Sequence, residues 1–227
     1  MEDPRTQLEI ITNAITRSGT NAIHGDLFYY LREPNWNALD PLPKSNGIYS
    51  QPIHQWQQYG LSFGGPIIKD RFWFYASHRD ASSGNLIPGF ITLKTRDQVE
   101  FYTKLQDPTG KLTYQITKNN KLEGMFQVGR KWQPYRTASR FVPLEATQNQ
   151  DSWSLVGPSF KWQSVLSAKS TFESSLQRGG YWWPDVPWSD DVRKPDLQTT
   201  ATRGGFLQTD RKPRRWQYGA TYVYFAE

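Results

Sequence analysis

The chain has 227 residues, no cysteine and a net charge of +6, from 27 Lys and Arg against 21 Asp and Glu. Without cysteine, disulfides, thiol catalysis and cysteine-ligated metal are excluded, and no stretch of about 18 apolar residues is present to form a membrane-spanning helix. Aromatic residues make up 15% of the chain although its mean hydropathy is only −0.73. A soluble domain of this size needs more aliphatic residues to form its core.

The first element with a clear period is a predicted strand over residues 22–32, which follows a polar turn at Ser18-Gly19. Residues 8–16 before that turn are also β-prone and predict a strand. Apolar or aromatic side chains occupy one face of the strand over 22–32, with Phe28 as the exception on the polar face: Ile23, Leu27, Tyr29 and Leu31. A period of two with unlike faces predicts a strand between two unlike media.

The rest of the chain predicts further strands in pairs, with 97–105 ambiguous between strand and short helix. The predicted strands are 58–66, 71–79, 110–117, 121–131, 153–163, 170–183, 201–209 and 215–225. Short turns are predicted at 69–70, 118–120, 166–169 and 211–215, the last a hairpin turn with basic flanks. Long loops are predicted at 33–57, 81–94, 132–151 and 185–199. Alternating short and long connections are typical of outer-membrane barrels.

Two segments carry a resemblance to a known family. Residues 16–32 read TRSGTNAIHGDLFYYLR and residues 59–74 read YGLSFGGPIIKDRFWF. Both resemble the Oar-like branch of TonB-dependent outer-membrane receptors, in which the first segment marks the passage from plug to barrel and the second forms an early barrel hairpin. The later hairpins resemble the family in character, without a single diagnostic motif.

The resemblance implies an all-β fold, an antiparallel meander that forms part of a transmembrane β-barrel. It implies about nine or ten strands of a larger barrel, with long extracellular loops and short periplasmic turns. Residues 1–20 are expected to be the end of the plug domain, and residues 21–227 a partial receptor barrel. Because no signal peptide, TonB box or complete plug is evident, we expect a fragment of a longer outer-membrane precursor or a truncated reading frame.

The implied function is energy-coupled nutrient uptake, with strands lining the barrel and long loops binding the substrate. The implied partners are outer-membrane lipid and lipopolysaccharide, TonB in full-length relatives, and an unknown nutrient. Two alternatives stay open: a soluble aromatic-rich β-sandwich that binds carbohydrate, and a small self-contained porin-like barrel. Nucleic-acid binding rests on charge alone and is not expected.

Aromatic residues near the predicted loops are the substrate-contact candidates: Trp36, Trp56, Trp132, Tyr135 and Trp188. The alternative for Trp132, Tyr135, Trp182, Trp183 and Trp188 is the aromatic girdle of a barrel, which is favoured for those on strands.

The sequence predicts no catalysis, no cofactor and no metal site. Its three histidines, His24, His54 and His78, lie at no metal-ligand spacing, and His24 is interpreted as a structural residue of the lumen. Asp185, Asp190 and Asp191 share a predicted loop and could hold calcium, but solvated loop charge is the favoured interpretation.

Overall fold

The structure is a computed structural model that describes residues 17–33, 36, 53–91, 98–205 and 207–226, and it is built almost wholly of β-strands. The strands are β1 His24–Arg32, β2 Ile53–Ile68, β3 Phe72–Ile91, β4 Gln98–Thr117, β5 Asn120–Arg136, β6 Gln148–Ser167, β7 Ser170–Pro187, β8 Lys194–Pro195, β9 Thr202–Arg203, β10 Thr209–Arg211 and β11 Arg214–Tyr224. A single turn of 3-10 helix, Leu144–Ala146, precedes β6. No helix within the described ranges is long and apolar enough to cross a membrane.

Nine of these strands form one antiparallel sheet in which β1 to β7 follow one another in chain order. Both β10 and β11 pair with β7, and β8 pairs with β9 in a separate two-stranded ribbon. The all-β meander predicted from the sequence is therefore confirmed. The end strands β1 and β11 are not paired with each other, so the described residues form an open sheet and not a closed barrel.

The polar segment before β1 is fastened to the turn between β2 and β3 by one side chain. The Asn21 Oδ1 accepts hydrogen bonds from the Asp70 backbone N–H at 2.9 Å and the Trp73 indole N–H at 2.8 Å, while the Asn21 amide donates to the Asp70 carboxylate. Asp70 has a φ of 62°, a conformation that Asp tolerates in tight turns. A Cβ at Gly19 would collide with the Phe74 carbonyl, so only glycine allows this close crossing. Both segments that resemble the receptor family thus meet in space.

Directly paired residues share a face, so the pairings assign each row of side chains to one side of the sheet. One row crosses from β3 to β11 as Phe74, Leu112, Gly124, Phe160, Leu176 and Tyr218. The row that lies one residue along carries the opposite chemistry, as Tyr75, Lys111, Met125, Ser159, Gln177 and Gln217. We call these sides the apolar face and the polar face.

A β-bulge in β6 keeps the apolar face continuous. Between the pairs Val156–Gln127 and Ser159–Met125, β6 uses one residue more than its partner strand. The extra residue lies at Gly157, whose φ of 121° disfavours any other residue. As a result Leu155 and Phe160, five positions apart, both lie on the apolar face, which a strict period of two would forbid.

Burial is inverted relative to a soluble protein. Among the described residues only three hydrophobic residues are buried, Ile87, Val99 and Ala146, whereas twelve polar or charged residues are. On the apolar face Phe160 is 48% exposed and Tyr218 is 87% exposed. An apolar surface of this extent is rare on soluble monomers and marks a face that contacts a membrane or another protein surface.

The strands are longer than a bilayer requires. β3, β4 and β6 each have 20 residues, about 66 Å at 3.3 Å per residue, whereas about 9–11 tilted residues cross a membrane. The apolar rows lie toward the edge that carries the short turns 69–71, 118–119 and 168–169, which we call the turn edge. We call the opposite edge the loop edge. Near it the apolar face also carries charged residues, such as Asp80, which accepts a hydrogen bond from Gln106 and pairs with Lys104.

Several predicted loop boundaries were wrong because the strands continue toward the loop edge. Residues 53–57 belong to β2, 81–91 to β3, 132–136 to β5, 148–151 to β6 and 185–187 to β7. The ambiguous 98–105 is strand. Backbone ladder bonds carry pairing through these stretches although their side chains do not alternate. The predicted strand over residues 8–16 and the remainder of the loops at 33–57 and 81–94 lie outside the described residues, Glu33 and Trp36 excepted.

The predicted hairpin of 201–209 with 215–225 was also wrong. Only the short β9 and β10 occur before β11, and β10 and β11 both run antiparallel to β7, at its residues 183–185 and 170–180. The basic stretch 211–215 is therefore not a hairpin turn. It is a break at Lys212-Pro213 within one edge strand, because proline has no N–H to donate to the ladder.

Candidate functional site

The five aromatic residues singled out in the sequence are placed at the loop edge, but not in one cluster. Trp56 lies on β2, and Trp132 and Tyr135 lie on β5, so their predicted position in loops was wrong. Trp36 and Trp188 lie off the strands. Trp36 is 66% exposed, and its backbone N–H donates to the Glu33 carbonyl at 3.1 Å.

Tyr135 and Trp188 are brought together, with ring centroids 5.8 Å apart. The Trp188 indole N–H donates to the Pro134 carbonyl at 2.5 Å, and its backbone N–H donates to the Thr147 carbonyl at 3.2 Å. These bonds tie the segment after β7 to the end of β5 and to the residue that precedes β6. The pair presents half-exposed aromatic surface at the loop edge, as a stacking platform for a sugar or peptide would.

The other two make separate contacts. Trp132 packs edge-on against Tyr102 at 5.7 Å and donates its indole N–H to the Asn149 side chain at 3.1 Å. Trp56 stacks on Tyr30 with centroids 6.4 Å apart, at the far end of the sheet. Indole groups that find hydrogen-bond partners within the sheet fit a structural or interfacial role for Trp132.

A buried polar cluster that the sequence did not reveal lies beside the Tyr135–Trp188 pair. Asp185 accepts hydrogen bonds from the Thr209 hydroxyl at 2.9 Å and the Trp183 indole at 3.2 Å. The Arg136 guanidinium lies 3.8 Å from the same carboxylate and donates to the Gln150 side-chain carbonyl at 2.5 Å. Gln150 is fully buried, and its amide nitrogen has no hydrogen-bond partner within the described part of the chain. The cluster holds the ends of β5, β6 and β7 at the loop edge in fixed positions relative to each other.

Next to this cluster the polar face contains a hollow of about 290 Å³. Besides Leu105 and Gly129, its polar-face lining includes two aromatic rings, two serines and opposite charges: Asp107, Lys131, Ser152, Ser154, Tyr181 and Trp183. The Trp183 ring has the Lys131 ammonium 5.9 Å and the Arg136 guanidinium 5.0 Å from its centroid. Arg79 pairs with Asp107 at 2.8 Å. An aromatic floor with hydroxyl and charged groups around it suits a polar ligand that can stack.

The period of a strand is the sequence signal that separates Trp183 from Trp182. Trp182 and Trp183 are adjacent on β7, so they must point to opposite faces. Trp182 lies on the apolar face, paired with Trp153, as expected of a girdle residue. Trp183 therefore lies on the polar face, and the girdle interpretation, applied to both, was wrong for Trp183.

The remaining candidates for metal or acid–base chemistry do not converge. His24 hydrogen-bonds to the Ala22 carbonyl at 3.1 Å, and His78 pairs with Leu61 within the apolar rows. Asp190 and Asp191 are exposed, while Asp185 is committed to the polar cluster. No group of three acidic or histidine side chains that could hold a metal ion occurs within the residues the structure describes. The His54 side chain lies outside them.

Two comparisons with known proteins agree on the nature of the first part of the chain. Residues 15–85 match a family model described as an outer membrane beta barrel domain. A TonB-dependent transporter Oar from Myxococcus xanthus is 33% identical over 69 residues, which is 29% of this chain and 6% of that relative. No solved structure shows a significant match. The matched segment includes Asn21 and Asp70, which join the start of β1 to the first hairpin, and these similarities support an outer-membrane location.

Proposed function

From the Oar-like outer-membrane barrel family that both comparisons support, we propose that this chain builds part of the wall of a TonB-dependent transporter that takes up a nutrient. In this proposal the apolar face contacts lipid, the polar face lines the lumen, and the loop edge faces the outside. Residues 1–20 are the end of the plug and residues 21–227 are barrel.

The observation that carries the proposal is the inverted burial of the sheet. Leu112 and Phe160 are each 48% exposed on the apolar face, whereas Lys111 is 7% and Thr113 is 6% exposed on the polar face. The same strands thus offer apolar side chains to one medium and polar side chains to another, as in a membrane barrel. Apart from the two-stranded ribbon β8–β9, the described strands form one large sheet, whereas a soluble β-sandwich requires a second sheet that packs face to face on the first.

Ion pairs on the polar face agree with a lumen that is polar and hydrated. Lys111 and Lys121 lie 3.1 and 3.0 Å from the Glu123 carboxylate, and Lys161 lies 2.8 Å from Glu173. Opposite charges on neighbouring strands also fix the register. Such pairs would be prohibitively costly on the lipid side.

For the substrate, we propose the hollow at Trp183 and the Tyr135–Trp188 pair as contact surfaces within the lumen mouth. Both lie at the loop edge and combine aromatic rings with polar groups. Trp36 and Trp56 stay proposals as further contacts. Coupling to TonB is proposed from the similarity to the Myxococcus protein, which is named a TonB-dependent transporter.

Site-directed labelling tests the wall assignment cleanly because the chain has no native cysteine. Ser175 and Leu176 are adjacent on β7 and lie on opposite faces. In isolated outer membranes, Ser175→Cys should react with a charged maleimide, whereas Leu176→Cys should react only with a membrane-soluble one. Equal reaction of both with the charged reagent, or recovery of the protein in the soluble fraction, would contradict the proposal.

The transport part needs a separate test. Growth of three strains, wild type, a deletion of this gene and a deletion of TonB, should be compared across media that each limit one nutrient. A nutrient for which both deletions share a growth defect identifies the cargo. Normal growth of the gene deletion wherever the TonB deletion fails would leave the barrel wall intact but would refute energy-coupled uptake.

A further inference from the structure

The apolar face contains a groove of about 520 Å³ near the loop edge, between β5, β6, β7 and the start of β11. Its apolar lining comes from the sheet, and its rim carries three cations. The lining of the apolar face is Val128, Trp153, Leu155, Gly180 and Trp182, and the cations are Arg178, Lys212 and Arg214.

A glycine creates this groove. Gly180 pairs with Leu155 on β6 and with Arg214 on β11, so the position between Arg178 and Trp182 on the apolar face has no side chain. A Cβ at Gly180 would lie 2.9 Å from the Pro213 carbonyl, and the Tyr181 backbone N–H donates to that same carbonyl at 3.2 Å. The absence of a side chain therefore lets the break at Lys212-Pro213 approach β7 and place its basic residues beside the groove.

The charges around the groove favour an anion. Lys212 lies 2.7 Å from the Asp210 carboxylate and 5.3 Å from the Trp182 ring centroid. The Trp182 indole N–H also donates to Asp210 at 2.6 Å, so this carboxylate already interacts with two groups of the protein. Arg178 lies over the Trp216 ring at 5.8 Å. Three cations against one carboxylate give a net positive rim on a surface whose remaining lining is apolar.

The groove lies where the apolar band ends. Moving along the apolar face of β7 from the turn edge, Leu176 is followed by Arg178 at the β6 bulge, then by Gly180 beside Leu155, and then by Trp182 beside Trp153. Beyond these tryptophans the face carries Asp151 and Asp210. Aromatic residues with cations beside them at this level are typical of the membrane–water interface, and the loop edge belongs to the outer leaflet. This placement rests on the proposed function.

We propose that the groove binds a phosphorylated glycolipid of the outer leaflet, the lipid anchor of lipopolysaccharide. Its phosphate is held by Lys212, Arg214 and Arg178, and the first part of an acyl chain lies over Gly180, Leu155 and Val128 between the two tryptophans. Only a ligand with an anionic head joined to an apolar tail satisfies both parts of this surface, and phosphate accepts several charge-assisted hydrogen bonds from Lys and Arg.

The test is native mass spectrometry of the protein extracted from outer membranes, with lipid A that carries both phosphates as the probe. Dephosphorylated lipid A and phosphatidylglycerol serve as comparison lipids. The double variant Lys212→Gln/Arg214→Gln should lower the affinity for lipid A about tenfold or more, because two charge-assisted contacts are lost. Dephosphorylated lipid A should bind the wild type as weakly as lipid A binds the variant.

The matched control is Arg71→Gln. Arg71 also lies over an aromatic ring, that of Tyr114, with 6.0 Å between guanidinium and ring centroid, but at the turn edge. This control should leave lipid A binding unchanged. A second variant, Leu155→Trp, fills the groove without altering a charge and should also weaken lipid A binding.

Unchanged lipid A affinity in both groove variants would overturn the proposal, as would equal loss in the Arg71→Gln control. Binding of phosphatidylglycerol as tight as that of lipid A would overturn the choice of glycolipid. Heat-modifiable migration on gels reports barrel assembly separately, so failure of the proposed barrel and failure of the lipid site are distinguishable.

Discussion

The two faces of β7 show how one backbone can serve two media. Ser175 and Gln177 on the polar face alternate with Leu176 on the apolar face, and Gln177 and Leu176 each pair with residues of their own kind on β6 and β11. The polar face gains its specificity from ion pairs and hydrogen bonds. The apolar face has no partner within the described sheet, and its side chains are stabilised only if lipid surrounds them. Predictions that treat the two faces separately test this difference.

The largest effect is expected from a charge on the apolar face. Leu176→Arg places a guanidinium in the central apolar row and should destabilise the membrane-inserted protein by about 2–4 kcal/mol. Ser175→Arg, one residue away on the polar face, should cost less than about 1 kcal/mol. Urea unfolding in phosphocholine bilayers measures both, and equal losses would show that the faces are not in different media.

The polar face can be divided further by burial. Glu123 pairs with Lys111, whose side chain is 7% exposed, whereas Glu173 pairs with Lys161, whose side chain is 38% exposed. Glu123→Gln removes the carboxylate that pairs with a buried ammonium and should cost about 1.5–3 kcal/mol. Glu173→Gln should cost no more than about 1 kcal/mol. The same unfolding assay compares them, and the reverse order would argue against a buried ion pair at Lys111.

The hydrogen bonds between the polar segment before β1 and the β2–β3 turn should contribute less to the free energy of unfolding. Asn21→Ala deletes the side chain that bonds to Asp70 and Trp73, at a net cost of about 1–2 kcal/mol. Asn119→Ala, at the β4–β5 turn, removes a side chain of the same type and is expected to be neutral within about 0.5 kcal/mol. Comparison of unfolding midpoints and of protease sensitivity before β1 checks the link, and equal effects at both turns would contradict it.

The smallest effect concerns pH and an exposed turn between β8 and β9. The Asp196 carboxylate accepts hydrogen bonds from the backbone N–H groups of Gln198 and Thr199, and these bonds lower its pKa from the ordinary 3.8. A lowered pKa in the folded state means that the stabilisation is present above the unfolded pKa and is lost as pH falls through the folded pKa.

Hydrogen exchange of residues 196–200, corrected for intrinsic rates, should therefore show protection that falls only below about pH 4. In Asp196→Asn the protection should not change with pH over this range. A wild-type profile that is flat, or that loses protection near neutral pH, would contradict the assignment.

The hairpins β2–β3, β4–β5 and β6–β7 were predictable because the central residues of their strands alternate clearly. Leu27 and Tyr29 on β1 were assigned to one face from their period, and their pairing with apolar-face residues of β2 confirms it. The ends of the strands were not predictable, since Trp132, Tyr135 and the residues of 81–91 do not alternate. Their pairing depends on a neighbouring strand that continues alongside, which is information that no local window contains.

The candidate site was predicted only in part. Tyr135 and Trp188 were both chosen from the sequence, and the structure brings them into contact. The hollow at Trp183 was missed because its other lining residues come from β4, β5 and β6, far apart in the chain. The alternative assignment of Trp183 to a girdle failed because adjacent strand residues cannot share a face.

The sequence alone determined the all-β class, the hairpins β2–β3, β4–β5 and β6–β7, and the family resemblance, because each depends on local period, turn residues and short motifs. Tertiary structure decided which rows share a face across the Gly157 bulge, how far the strands extend, and that 211–215 is a break in an edge strand and not a turn. Register and close approach at Gly180 arise from pairing between distant segments. For that reason the polar hollow and the basic groove exist only in the folded sheet.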